Sequence, residues 1–270
     1  MSVIKSDPII VMRGAGDLAT GVALRLFRAG LTRIVMLEVP FPLAVRRTVA
    51  FSEAVHQGKT SVESITAVHI EHAMDAEKAW HKHHIPILID PNSETLSALT
   101  PDVLVDAIIA KKNTGTKITD APMTIALGPG FTAGQDVHAV IETKRGHHLG
   151  RVIRQGQAAP NTGIPGNVCG QTINRVYWAE HEGIFTTPYE IGDMINEKKC
   201  MGMVGSTPVY AAVSGVIRGL LRDGTPVSTR TKLGDIDPRG NASYCNEVSD
   251  KALSVGGGVL EAVVAHLFSR

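Results

Sequence analysis

In the first half of the chain, short, mostly apolar runs alternate with stretches whose apolar residues return every three or four positions. The runs are 9–12, 34–37, 67–70, 85–89, 103–110 and 124–127. Runs this short, bounded by turn residues, read as buried strands. Residues 18–29 carry Leu18, Val22, Leu26 and Ala29 on one helical stripe, with Gly30 as the stop. Residues 43–55 and 74–84 also read as helices, and 137–142 alternates as one more strand. Strands alternating with helices predict an α/β domain over residues 1–154, with a mostly parallel sheet and helices on both faces.

The pattern then changes. Residues 155–172 are rich in Gly, Pro, Asn and Gln and read as a linker or long surface loop. Residues 173–270 carry short strands separated by Gly-Asp and Asp-Gly turns. The first half of this stretch holds Val176-Tyr177-Trp178-Ala179 and Gly183-Ile184-Phe185; the second holds Val209-Tyr210-Ala211-Ala212 and Gly215-Val216-Ile217. This repeat resembles the small all-β barrel of the biotinyl/lipoyl type, followed here by a C-terminal helix, 259–268. A carrier domain has a modifiable Lys at the hairpin between its halves. This chain has Gly205-Ser206-Thr207-Pro208, which argues against a swinging arm.

Candidate chemistry gathers at strand ends. Arg13 leads into Gly14-Ala15-Gly16-Asp17-Leu18-Ala19, a match to G-x-G-x-x-A between a strand and a helix. The first Gly permits the turn, the second lets backbone approach a phosphate, and the small Ala19 lets the helix pack closely. Glu38 follows at the end of the second strand, where a ribose-binding acid is expected. The context makes the first domain Rossmann-like, although the same glycines also suit a plain tight turn. Other strand ends carry Asp90, Lys111-Lys112-Asn113 and Gly128-Pro129-Gly130, and ligands of such sheets sit at these ends. Arg46 and Arg47 can reach a phosphate or form a solvated face. Asp235, Asp237 and Arg239, on a turn fixed by Pro238, form a ligand site or a self-neutralising group, with Lys232 and Lys251 as further members. Gly256-Gly257-Gly258 either cradles an anion or permits close packing. His81, His83 and His84 lack acidic or cysteine partners at ligand spacing and read as solvated, so no metal site is assigned.

Composition narrows the classes. Lys and Arg nearly balance Asp and Glu, leaving a net charge of +1, so no nucleic-acid or membrane partner is indicated. The three cysteines, Cys169, Cys200 and Cys245, form no CxxC pair and signal neither a disulfide framework nor a zinc knuckle. With no signal-peptide layout and no apolar run long enough to span a bilayer, the expected compartment is the cytoplasm.

The Gly14 loop, Val45-Arg46-Arg47, the run from Gly128 through Gly134, Asp235-Ile236-Asp237-Pro238-Arg239 and Ser249-Asp250-Lys251 together resemble the YqeB-type selenium-dependent molybdenum hydroxylase system proteins. The resemblance implies an accessory role in maturing a client molybdenum hydroxylase similar to xanthine dehydrogenase. It supplies no catalytic residues. The expected cofactor is a phosphate-bearing ligand: molybdenum cofactor (molybdopterin), its dinucleotide form, or NAD(P). The expected contacts are Arg13, Gly14, Ala15, Gly16, Asp17, Leu18, Glu38, Arg46, Arg47, Lys111, Asn113, Gly128, Gly130, Asp235, Asp237 and Arg239. Two other functions stay open, an NAD(P)-dependent oxidoreductase and a non-catalytic scaffold that docks the client, and a homo-oligomer is compatible with each.

Overall fold

The computed structural model describes residues 7–269. The chain divides into two compact units. The first comprises the chain up to Pro42, Ala50–Asn161 and the chain from Val248; the second comprises Leu43–Val49 and Thr162–Glu247.

The first unit contains β1 (Ile10–Arg13), α1 (Asp17–Arg28), β2 (Ile34–Glu38), α2 (Ala54–Gln57), β3 (Lys59–Val62), β4 (Ile65–His69), α3 (Ala76–Trp80), β5 (His84–Ile89), α4 (Leu96–Leu99), β6 (Val103–Asp106), β7 (Met123–Leu127), β8 (Thr132–Ala133), β9 (Ala139–Ile141), β10 (Val152–Ile153) and β11 (Gly156–Gln157). The order of its nine-stranded sheet is β10-β9-β7-β6-β1-β2-β5-β4-β3. The inner neighbours run parallel, whereas β3 pairs antiparallel with β4 and β10 antiparallel with β9. Every residue of β1, β6 and β7 is buried, and apart from Arg13, Asp106 and Thr124 all are apolar, as a strand covered on both faces requires.

The second unit contains β12 (Val176–Trp178), β13 (Gly183–Thr186), β14 (Met194–Ile195), β15 (Cys200–Val204), β16 (Thr207–Tyr210), β17 (Gly215–Leu220), β18 (Thr225–Val227), β19 (Lys232–Asp237) and α5 (Ser243–Asn246). Two four-stranded antiparallel sheets, β12-β19-β17-β14 and β16-β15-β13-β18, enclose a core of Phe185, Met201, Ile217, Leu220, Leu233 and Ile236.

This corrects the expected architecture of a Rossmann-like, mostly parallel domain joined to a biotinyl/lipoyl-type barrel. The main sheet is mixed, with an antiparallel strand at each edge. Its helices are few: α2, α3 and α4 are single short turns of 4, 5 and 4 residues. The expected helix at 43–55 is broken into 3-10 turns at Arg47–Val49 and Phe51–Glu53 before α2. The strands of the second unit form two separate sheets with no ladder between them, not a closed barrel.

The C-terminal helix, α6 (Asp250–Phe268), belongs to the first unit and packs along α1. Glycine permits that approach. A Cβ on Gly21 would stand 2.6 Å from the Ala252 Cβ, and one on Gly256 would stand 2.8 Å from the Gly21 carbonyl oxygen. The Gly256-Gly257-Gly258 run therefore lies inside a helix, where Gly256 packs on α1 and Gly258 on the Gly150 backbone, while Gly257 faces open space. At 19 residues with a mean hydropathy of 1.3, α6 is long and apolar enough to cross a membrane by length and composition, longer than the apolar run expected from the sequence.

Candidate functional site

In the first unit, the chain passes from β1 to β2 on one side and returns to β6 on the other, so strand order reverses at β1. Ligands of open sheets bind outside the carboxyl ends of strands at such a point. Here that end is the Gly14-Ala15-Gly16 loop. Gly14 has φ +94°, and a Cβ there would stand 3.2 Å from the Ala107 carbonyl oxygen. Its N–H donates to the Leu37 carbonyl at 2.7 Å. Buried Ala15 donates its N–H to Glu38 Oε2 at 2.8 Å, and Val39 donates to Glu38 Oε1 at 2.8 Å. Burial pushes the Glu38 carboxyl up from its ordinary value, against the pull of the Val39 and Ala15 N–H groups. Glu38 thus clamps the loop, with one N–H on each oxygen.

Gly16 is different. Its φ of −67° and ψ of −174° are extended backbone open to any residue. No atom lies within 4 Å of where its Cβ would be. It is the N-cap of α1 and supplies no side-chain cap, so the first N–H groups of the helix, at Asp17 and Leu18, have no intrahelical acceptor.

The neighbouring strand ends pack beside this loop. A Cβ on Gly130 would stand 2.6 Å from the Lys111 carbonyl carbon, and one on Gly128 would stand 2.5 Å from Thr143 Oγ1. The turn after β7 therefore lies against the backbone of the turn after β6 at Gly130 and against the Thr143 side chain at Gly128, and both glycines serve that close approach. Two expected ligand contacts are spent on structure. Arg13, 6% exposed, donates through Nη1 to Asp106 Oδ2 at 3.2 Å and to Thr116 Oγ1, and through Nη2 to the Thr114 carbonyl. Asn113 Oδ1 accepts the N–H groups of Gly115 and Thr116 at 2.8 and 2.9 Å. Asp90 similarly accepts from Glu94 N–H, Thr95 N–H and Thr95 Oγ1, and those bonds overcome burial to lower its pKa.

Lys251 lies in the first turn of α6, capped by Ser249, whose Oγ accepts the Ala252 N–H at 3.2 Å. It was expected beside Asp235, but the two belong to different units. The charged groups that act on Lys251 are Arg145, Asp17, Glu142 and Lys111. The sequence signal for its position was the Ser249 cap ahead of an apolar helix.

In the second unit, Arg46 and Arg47 are also structural. Arg46 Nη2 donates to the carbonyls of Tyr244 and Glu247 at 2.8 and 3.0 Å, and Arg47 Nε donates to the Leu220 carbonyl at 2.8 Å. Asp235 and Asp237 are each 1% exposed. Asp235 Oδ1 accepts from Arg218 Nε at 3.0 Å and Nη2 at 2.9 Å, and its Oδ2 accepts from Lys232 Nζ at 2.9 Å. Asp237 takes both Nε and Nη2 of Arg239, at 2.9 and 2.6 Å, while Arg218 Nη1 stands 3.5 Å away. The Arg239 guanidinium also lies 4.4 Å over the Tyr244 ring. Burial alone would raise the Asp235 carboxyl; Lys232, Arg218 and Arg175 overcome it and hold the group well below the usual carboxylate range. In Asp237 burial likewise acts to raise the carboxyl, and the bonds from Arg239 outweigh it and lower its pKa. This turn is a buried network that satisfies itself. A separate cleft of about 720 Å³ in this unit is lined by Tyr177, Trp178, Val209 and Tyr210 and by none of the expected ligand contacts.

No protein-family model matches the chain. The chain is similar to the uncharacterized protein YqeB of Escherichia coli (strain K12), at 49% identity over 256 residues. That match covers 95% of this chain and 47% of YqeB, so the chain spans about half the length of that relative. This supports the YqeB part of the sequence resemblance. Among solved structures, the succinylglutamate desuccinylase/aspartoacylase from Rhodobacter sphaeroides is 12% identical and overlaps 86% of this chain and 85% of its own, with a TM-score of 0.27. The product-bound ectoine utilization protein EutE (DoeB) from Ruegeria pomeroyi is 10% identical over 86% and 85% of the two chains, with a TM-score of 0.25. Likenesses this slight carry no argument about fold or activity.

Proposed function

We propose that this chain is an accessory factor in the maturation of a molybdenum hydroxylase, of the xanthine-dehydrogenase-like, selenium-dependent kind, and that it binds a phosphate-bearing ligand at the exit of β1. The observation that supports ligand binding is Gly16: open backbone at the reversal of strand order, with uncapped N–H groups of a 12-residue helix behind it. A phosphate accepts several such N–H groups at once. Glu38 keeps a further lone pair on each oxygen and can accept a ligand hydroxyl. Molybdopterin, its dinucleotide form and NAD(P) all present this chemistry. The maturation role rests on the motifs shared with YqeB-type proteins and on the similarity to YqeB over 256 residues.

Deletion of the gene in its native host tests the role. Xanthine-dehydrogenase-like hydroxylase activity is expected to fall while the hydroxylase polypeptide is still made. The wild-type gene should restore activity and Gly16→Val should not. Undiminished hydroxylase activity in the deletion strain would contradict the assignment.

A further inference from the structure

A histidine ties the outer edge of the first unit's sheet to its inner strands. The parallel ladder of β7 and β9 runs from Ile125 opposite Ala139 to Leu127 opposite Ile141, and His138 stands immediately before it. The His138 backbone N–H donates to the Thr124 carbonyl at 3.0 Å and to Thr124 Oγ1 at 3.1 Å. In return, His138 Nδ1 accepts the Thr124 backbone N–H at 3.0 Å and stands 2.8 Å from Thr124 Oγ1. A backbone N–H can only donate, so Nδ1 is bare and the ring proton sits on Nε2. Thr124 is fully buried, whereas His138 is partly exposed. A second proton on the ring has only Nδ1 to occupy. The Thr124 hydroxyl can turn to accept it; the Thr124 N–H cannot, and a buried amide then loses its acceptor. Among the described residues, no anion acts on the ring to offset the charge. Asp136, two residues before, accepts the Thr132 N–H at 2.7 Å. From α6, which packs against β7 and β9, the group that acts on His138 is His266 of the last turn, of like sign when protonated. Burial, then His266, lower the His138 pKa from its ordinary value. The edge that this residue guards is short, with 3 residues in β9 and 2 in β10.

We propose that His138 is an acid-released latch: its neutral ring ties β9 to β7 through the Thr124 N–H, and its protonated ring lets go, so that the β9–β10 edge opens while the inner strands stay paired. The latch does not depend on the ligand assigned to the β1 exit. Because the folded ring titrates below its unfolded value, its contribution is complete above an unfolded pKa of about 6.5 and is lost as pH falls towards the folded one.

Two measurements on the full chain test it. Nitrogen NMR at about pH 7.5 reads the ring tautomer, and amide hydrogen exchange at about pH 7.5 and about pH 5, corrected for intrinsic rates, reads the edge. The ring is expected to carry its proton on Nε2. Protection of the Thr124 amide and of β9 should fall about tenfold or more in acid, with β1 unchanged. His138→Asn supplies an acceptor that does not titrate and should keep its protection at both pH values, whereas His138→Ala should lack it at both. His266→Gln should still lose protection in acid. A proton on Nδ1 at neutral pH, or protection that does not change with pH in wild type, overturns the proposal. So does an acid loss that persists in His138→Asn or disappears in His266→Gln, since another group would then be the one that titrates. If the Asn variant does not hold the edge at neutral pH, the wild-type tautomer and the His266→Gln response decide.

Discussion

Asp235→Asn is the sharpest perturbation of the second unit. The carboxylate is 1% exposed and faces Arg218 at 2.9 Å, Lys232 at 2.9 Å and Arg175 at 3.8 Å. Asn keeps the shape and one acceptor but removes the charge, so three cations lose their shared counter-ion in a buried place. Removing one partner of a buried pair costs about 3–5 kcal/mol. That is roughly a hundredfold to several-thousandfold in the folding constant. The chain has two tryptophans, Trp80 in the first unit and Trp178 in the second. Urea unfolding followed by fluorescence in a Trp80→Phe background therefore reports the second unit through Trp178. The double variant Asp235→Asn, Lys232→Met should cost less than the sum of the singles by about 1–3 kcal/mol, because one stranded cation is gone. The effect has a pH signature. The folded Asp235 carboxyl titrates below its unfolded value, so its contribution is complete above the unfolded pKa and is lost as pH falls towards the folded one. With an unfolded value of about 3.9, the gap between wild type and Asp235→Asn should shrink by about 1 kcal/mol by pH 3. A cost under about 1 kcal/mol at pH 7, or a gap that widens on acidification, would refute the claim that this network is a structural element.

Other expectations follow from single contacts. Gly14→Ala should cost about 1–2 kcal/mol in urea titrations, since φ is +94° and its Cβ would press on the Ala107 backbone; Gly16→Ala should be near neutral. Gly21→Ala should lower the melting temperature of the first unit, because the 2.6 Å approach to the Ala252 Cβ outweighs the gain in helix propensity; a higher melting temperature would show that α1 and α6 separate freely. Arg13→Met should destabilise the first unit by about 3 kcal/mol by denaturant titration, as Asp106 is 2% exposed and loses its cation.

What was legible in the sequence was local. The apolar run of β1, its glycine turn, the stripe of α1 and the acid ending β2 all lie within forty residues and each follows from periodicity or turn chemistry. The antiparallel edge β3–β4 was hidden because its turn uses Glu63 and Ser64 at φ 45° and 69°, where a hairpin normally advertises itself with Asn or Gly. The 74–84 helix was overextended because His83 turns left-handed, at φ 54°, to start β5, and no glycine marks the break. The assignment of α6 to the first unit depends on close approach between Gly21 and Ala252, which local pattern cannot show. The candidate site divided for the same reason. Asp237 and Arg239 were adjacent enough to be noticed as a charged turn, yet the Arg218 that pairs with both aspartates comes from another strand. Once it is present, the cluster is satisfied from within. Lys251 was visible as a residue, and only the packing of α6 along α1, where Ala252 abuts Gly21, sets its surroundings.

The central claim, a phosphate-bearing ligand at the exit of β1, is tested most directly by native mass spectrometry of freshly purified wild type and Gly16→Val from the native host. Gly16 has room for a side chain and ordinary backbone angles, so the variant should fold, which circular dichroism checks. The expected result is a non-covalent, phosphate-containing adduct, a pterin for the maturation role, on wild type and its absence from the variant. A bare wild-type protein, or the same adduct on both, would contradict the account.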